Sequence, residues 1–557
     1  MAHNCSLDQE LKPYSDISGP GVVAGFLGTA WLAVIFVLLH YLFAFDPYEN
    51  PFESSYQRIS DRTDGVWRPN PIDVITKDLV DKSLKWMSFS SSWAIGIEMS
   101  ILGMCDVQFV TGLSILLSGA FAVFKDISSY HFLLITRLAW FSNLTHLCGL
   151  TVLRKYFHIR PVEKRIRIVC MFTIAIMLLI AIGPTLLFDW DDSSGGGESS
   201  VGTYVICFFS APRSPEWQLL FDDATSSRPF INGVISMLLL LLSLLSRTIK
   251  FQFSSSNYFK KVRKFFSSKI IHRISLLADR GTETTAVRAI WVRRMMLYSQ
   301  VATLLVFRLH CDLLASNLSD VYWLMVFAIW GTIKLFKTKY GVDVDENDWT
   351  FGQVLPVLLL IGPVVTAAKG MFDQQAQNTN PGTFGSNVSQ DQNIIDGDEI
   401  MIIEPNQINE SPEMSRFRQD MFNCIGRNYY DIATCPWILP LVTFICIQVL
   451  EITILMFVLT GIESITLVEF GPKLCIILYA FLSATYMITF AYLVFACHGP
   501  AKYRTVYFLS LFFVILGLYS MSAVWSGDEF ILMFVSSFVA SMACVCFILP
   551  AIVISNR

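Results

Sequence analysis

The side chains best placed to do chemistry are Asp106, Gln108, Arg137, Asn143 and His146, all within Cys105–Leu153, a stretch that is otherwise apolar. A carboxylate and an imidazole at membrane depth suit proton transfer or the handling of a polar group in transit. Such groups cost a few kcal/mol each in hydrocarbon, so they face a protein interior or a water-filled cavity. Asp106 and Gln108 flank the entrance of one helix, and at two residues apart they point in different directions rather than forming a dyad. Asp106 has two readings, a carboxylate suited to a helix N-terminal dipole or a working group. On the next helix Ser142, Thr145 and His146 share one side by i,i+3 and i,i+4 spacing, with Arg137 opposite. His146 reads either as a hydrogen-bonded histidine joining helices or as a proton carrier.

A second cluster lies in VFRLHCDLL, where Arg308 and Asp312 stand four apart on one helical face and His310 points elsewhere. The pair alone is explained by mutual neutralisation, but all three charges together are better explained by a cavity wall. Glu451 is an isolated carboxylate in another apolar run, and Lys334 and Lys369 at span ends are expected to snorkel. The chain has no nucleophile elbow, zincin helix, phosphate loop or dinucleotide-binding glycine pattern. The nearest approach to an Asp-rich diphosphate site is Asp189–Asp192, beside a Gly-rich loop, which reads as a solvated edge. The 13 Cys show no metal-type spacing against only eight His, so no metal site is expected. Cysteines in apolar runs, such as Cys148, Cys170 and Cys544, read as small core residues. No cofactor is implied, and no residue can be assigned as catalytic.

These residues must be positioned by membrane helices. Of 557 residues, 54% are hydrophobic and only 15% are charged, against about a quarter charged in soluble domains. Mean hydropathy is +0.52. The class is an all-α polytopic transmembrane bundle of about eleven or twelve spans. A net charge of -4 gives no nucleic-acid footprint.

After a polar N-terminus of residues 1–20, which lacks the basic region of a cleaved signal peptide, a first module occupies 21–371 with about eight spans. Its first span runs from Gly21 to Phe45, and an amphipathic helix at 72–87 lies on the membrane surface. The hairpin around Cys105–Leu153 follows, with its turn at Lys125–Ser129. A basic amphipathic helix at 258–277 is expected to meet anionic lipid headgroups. A low-complexity acidic connector at 372–434 reads as disordered, and a second module at 435–557 adds about four spans.

The Lys/Arg-rich segments Arg154–Arg167 and Arg247–Arg294 read as cytoplasmic. The N-terminus is then extracellular or lumenal in a plasma membrane or endomembrane, and the Lys334–Lys339 loop is inside. Asn4, Asn387 and Asn409 head glycosylation sequons, and the last two require the connector to lie outside. Charges of the second module, including Lys502, Arg504 and Arg557, oppose that placement, as would a re-entrant run at Val354–Ala368.

The strings DVQFVTG, ISSYHFLLITRLAWFSNLTHL and TVLRKYF resemble a group of filamentous-fungal multi-pass membrane proteins without an established activity. That group carries a D-x-Q-x-V-T-G segment before an S-x-Y-H, L-A-W-F-S and T-H-L segment, and DENDWTFGQVLP is similar to it as well. The resemblance spans about Asn70–Pro363 and implies signature roles for Asp106, Gln108, Thr111, Gly112, Ser129, Tyr130, His131, Trp140, Ser142 and His146. The four-span tail and the connector depart from the group.

Three functions fit these residues. The first is translocation of a small molecule or ion along a polar path through Asp106, Gln108, Arg137, Asn143, His146, Arg308, His310 and Asp312, its ligand unidentified. The second is an intramembrane enzyme acting by proton donation on a lipophilic, terpenoid-like substrate, with Tyr130, Trp140 and Phe141 facing a cation. The third is a receptor or scaffold. Translocation is the leading reading.

Overall fold

The computed structural model describes residues 5, 9–50, 69–84, 91–188, 201–209, 228–251, 287–340, 349–377 and 437–459, with isolated positions elsewhere. Among the described residues the protein is an all-α bundle. Its one β-type contact is an isolated bridge between Ser128 and Tyr204. The helices are α1 (Ser15–Ser18), α2 (Pro20–Leu39), α3 (Pro71–Ser83), α4 (Ser91–Val123), α5 (Ser129–Val152), α6 (Arg154–Ile159) and α7 (Pro161–Thr185). They continue as α8 (Val205–Phe209), α9 (Arg228–Phe251), α10 (Val287–Ala315), α11 (Asn317–Lys339), α12 (Phe351–Leu359), α13 (Ile361–Gln377) and α14 (Ile438–Leu459). Six stretches among the described residues are long and apolar enough to cross a membrane: Ser15–Ala44, Trp93–Val123, Pro161–Thr185, Pro229–Phe251, Asn317–Lys339 and Gly352–Lys369.

Two compact units divide the chain. One comprises Met1–Ser256, Ala315–Thr383 and Leu459–Phe470, and the other comprises Asn257–Leu314, Phe384–Val458 and Gly471–Arg557. In the first unit, α5 is the central helix: every side chain from Ser129 to Leu150 except Arg137 is buried. Its polar content keeps it out of the apolar set above, and its neighbours α2, α4, α7, α9 and α11 shield it instead. The turn into it from α4 is made by Asp126 at φ 59°, a backbone setting that Asp tolerates better than most residues. Ser128 then caps α5, accepting from the His131 amide.

Helices approach closely where small residues permit it. A Cβ at Gly21 or Gly25 of α2 would overlap Gln353 or Pro356 of α12, and one at Gly112 of α4 would overlap Ser142 of α5. Small residues at i, i+4 spacing are a common solution in membranes, where dispersion and backbone approach replace the hydrophobic drive. Gln353 also accepts from the Gly21 amide at 3.3 Å and donates to Ser15 O at 3.1 Å. Cys5 and Cys207 are joined by a disulfide at this end of the unit, a partnership that composition alone did not suggest.

The opposite end is held by buried charge. Asp320, at the start of α11, pairs with Arg154 at 2.7 Å and Lys250 at 2.8 Å, while Arg247 donates to Asp320 O at 2.8 Å and to Thr151 Oγ1 at 3.1 Å. Beside them Asp73 of α3 accepts from the amides of Asn317 and Leu318 at 2.9 and 3.1 Å, capping α11. Burial raises the Asp73 pKa, partly offset by those two amides.

This arrangement corrects one expectation. The Lys334–Lys339 segment does not lie at the end opposite the N-terminus, because Lys339 Nζ donates to Ser18 O at 2.6 Å. The last turn of α9 and the first turn of α11 meet through Lys250 and Asp320, so α11 starts from the end of this unit at which α9 stops. From the N-terminal end, α12 runs beside α2 and α13 then lies against α4, where Ser100 Oγ donates to Pro363 O at 3.0 Å. Lys334 does not snorkel either: it is 5% exposed, with its ammonium 5.1 Å from the Trp330 ring centre.

In the second unit, Asp312 of α10 accepts from the Tyr430 hydroxyl and His310 Nδ1 contacts Val306 O at 2.8 Å. Gln448 of α14 accepts from Thr485 at 2.7 Å and donates to Phe481 O at 3.2 Å. The sequons at Asn4, Asn387 and Asn409, most of the basic helix at 258–277, nearly all of the connector and the last two expected spans lie outside the described residues.

Candidate functional site

In the first unit, a cavity of about 610 Å³ opens between α4, α5, α6 and α7. Its walls are mostly apolar, with Phe109, Leu150, Phe157, Ile166 and Met171 among them. The volume falls inside the range of about 300–1,000 Å³ typical of small-molecule sites.

Its polar groups come from two sources. Asp106 of α4 faces Arg167 of α7, with Nη1 to Oδ1 at 2.6 Å and Nη2 to Oδ2 at 3.0 Å. Glu163, one turn earlier on α7, accepts from Arg167 Nε at 3.2 Å. The guanidinium is therefore held on all sides by acceptors, and it lies 5.6 Å over the Phe157 ring. Nearer the mouth, Arg160 donates to the Tyr156 hydroxyl, which in turn donates to Glu163 at 3.3 Å. Burial, followed by the Glu163 charge, raises the Tyr156 pKa.

The second source is His146, from the middle of α5. It is 9% exposed, lines the cavity, and has no hydrogen-bond partner at Nε2 among the described residues. The Phe109 ring meets it edge-on at 6.4 Å between centroids. Cys105 and Cys170 also line the space. Among the described residues no group of three or more His, Cys, Asp or Glu is placed to hold a metal ion.

The structure thus brings together Asp106 and His146 from the sequence-derived set and separates them from the others. Gln108 and Asn143 are buried in the bundle at 3% and 0% exposure, outside this lining. Gln108 receives the Ser142 hydroxyl on its backbone carbonyl at 2.5 Å, while its Oε1 and both amide atoms of Asn143 have no partner among the described residues. Arg137 is half-exposed and does not line the cavity. Arg308, His310 and Asp312 belong to the second unit. Asp106 is also not at a helix entrance, because α4 begins at Ser91 and places it in mid-helix.

Arg160, Glu163 and Arg167 were absent from the sequence-derived set. Their i, i+3, i+7 spacing is a legible helical stripe, but it lies in a Lys/Arg-dense segment that reads as an orientation signal.

No family model and no solved structure matches the chain. The Elsinochromes biosynthesis cluster protein HP3 of Elsinoe fawcettii is 30% identical over 146 residues, covering 26% of this chain and 47% of that protein. The chain therefore spans about half the length of the curated relative it matches.

Proposed function

We propose that this multi-pass membrane protein binds a small amphiphilic molecule in the cavity between α4 and α7 and moves it across the bilayer. The observation that carries the reading is one cavity that combines apolar walls, the Asp106–Arg167 pair and the unpartnered Nε2 of His146. Arg167 and Arg160 together balance Asp106 and Glu163, so the cavity wall is polar without a net charge. Asp106, with 61% of its side chain exposed, keeps acceptor capacity for a ligand hydroxyl or amine. The name of the HP3 relative, a biosynthesis-cluster protein, agrees with a small-molecule ligand.

A second reading follows from His146 itself. A buried imidazole with a free Nε2 beside an apolar wall has the position of a proton donor or acceptor for a lipophilic substrate. Small molecules profiled separately inside and outside cells distinguish the two. Asp106→Asn or His146→Ala at equal expression redistributes an unaltered compound under translocation, and replaces one structure by its precursor under catalysis. No change in either compartment rejects both and leaves a receptor or scaffold.

The proposed orientation places the end bearing Cys5–Cys207 in the lumen or outside. Disulfides persist in oxidising compartments, and the other end gathers Arg154, Lys155, Arg160, Lys164, Arg165 and Lys250. The cavity then opens toward the cytoplasmic leaflet. An impermeant thiol reagent should label Val162→Cys only in inside-out vesicles; labelling only in sealed right-side-out vesicles would reverse the assignment.

A further inference from the structure

We infer that the ligand of this cavity is an amphiphile with an anionic head, taken laterally from the leaflet at the basic end of the bundle. The inference rests on the binding reading above and assigns the chemistry of the ligand and its route. Inside the cavity the charges are already matched, with Asp106 and Glu163 held by Arg167 and the second positive charge supplied by Arg160 at the mouth. That interior suits an uncharged chain or ring against Phe109, Leu150 and Met171.

The mouth is different. Arg160 has 58% of its side chain exposed; its Nη1 contacts Tyr156 and Glu163 and its guanidinium lies 4.6 Å over the Tyr156 ring. Arg165 is exposed, has no ion-pair partner among the described residues, and stands one helical turn from Val162 in the cavity wall. Beside these cations Ile159, Val162, Ile166 and Val169 are 58–68% exposed. Exposed branched aliphatics next to the partly engaged Arg160 and to Arg165 match a bilayer interface, with hydrocarbon on one side and phosphate-type headgroups on the other. Arginine forks bind such oxyanions with two donors at once.

The test uses the full-length protein in phosphatidylcholine nanodiscs and photoactivatable dodecyl phosphate and dodecanol, with labelling quantified on cavity-wall peptides. Dodecyl phosphate should half-saturate the cavity at a concentration about tenfold below dodecanol, the scale of a charge-assisted pair. In Arg160→Gln/Arg165→Gln that advantage should fall to about twofold or less, because these exposed cations supply it. Leu150→Trp, or Val162→Trp at the exposed mouth should the first fail to fold, should remove labelling by both probes. Equal affinities in the wild type, or an advantage that survives the double substitution, would overturn the anionic assignment while leaving the cavity as a binding site. Labelling unaffected by either tryptophan would overturn the binding reading itself. Inorganic phosphate should not compete at concentrations where dodecyl phosphate saturates, and competition by it would overturn the lateral amphiphile in favour of a soluble anion.

Discussion

Arg167 and Asp106 meet across the α4 and α7 interface in a two-pronged ion pair, with contacts of 2.6 and 3.0 Å. The pair joins α4 of the hairpin to α7, the second helix after it, and forms part of the cavity wall. Because the Asp106 side chain is 61% exposed, solvent at the mouth screens the pair, and its contribution to stability is on the order of 1 kcal/mol or less. Arg167→Gln should therefore leave thermal unfolding in detergent nearly unchanged. Its effect belongs to the cavity: without Arg167 the carboxylates of Asp106 and Glu163 lose their shared cation, and transfer of a compound with an anionic head should fall by about tenfold. A variant that melts much earlier would make the pair a structural brace instead.

Asp320 is the reverse case. It is 2% exposed and compensates Arg154, Lys250 and Arg247. Asp320→Ala leaves the buried Arg247 and the mostly covered Arg154 and Lys250 without a carboxylate and should cost about 3–5 kcal/mol, read as loss of folded protein or a large drop in melting temperature. Adding Lys250→Met should recover part of the loss. A melting temperature within a degree or two of wild type would show that water compensates these charges.

The Asp73 cap makes a pH prediction. Its pKa is raised in the folded protein by burial, so the native state holds the proton more tightly than the unfolded chain. The stability tied to Asp73 is then fully present below the unfolded value of about 3.8 and is lost as pH rises through the folded value. Wild type should lose stability relative to Asp73→Asn across that window, and a gap that widens in favour of wild type as pH rises would reverse the sign.

The hairpin was legible because a polar turn between two long apolar runs has few other readings, and the structure joins α4 to α5 at Phe124–Ser128. His146 and Asp106 stood out for the same reason, as ionisable groups where hydrocarbon is expected. Arg167 and Glu163 did not, since Lys/Arg density near a span end reports orientation before it reports a site. The Cys5–Cys207 link spans 202 residues, and no local pattern announces such a pairing. Counting crossings misplaced Lys339, because hydropathy finds an apolar run without telling which compact unit it joins.

The central claim is that the cavity between α4 and α7 carries the molecule this protein handles. Its most direct test is to express wild type and Leu150→Trp equally in cells lacking the protein and to profile small molecules separately inside and outside. An unaltered compound shifted between compartments by the wild type, and not by the tryptophan variant, is the predicted result. A folded tryptophan variant that restores the wild-type distribution would contradict it.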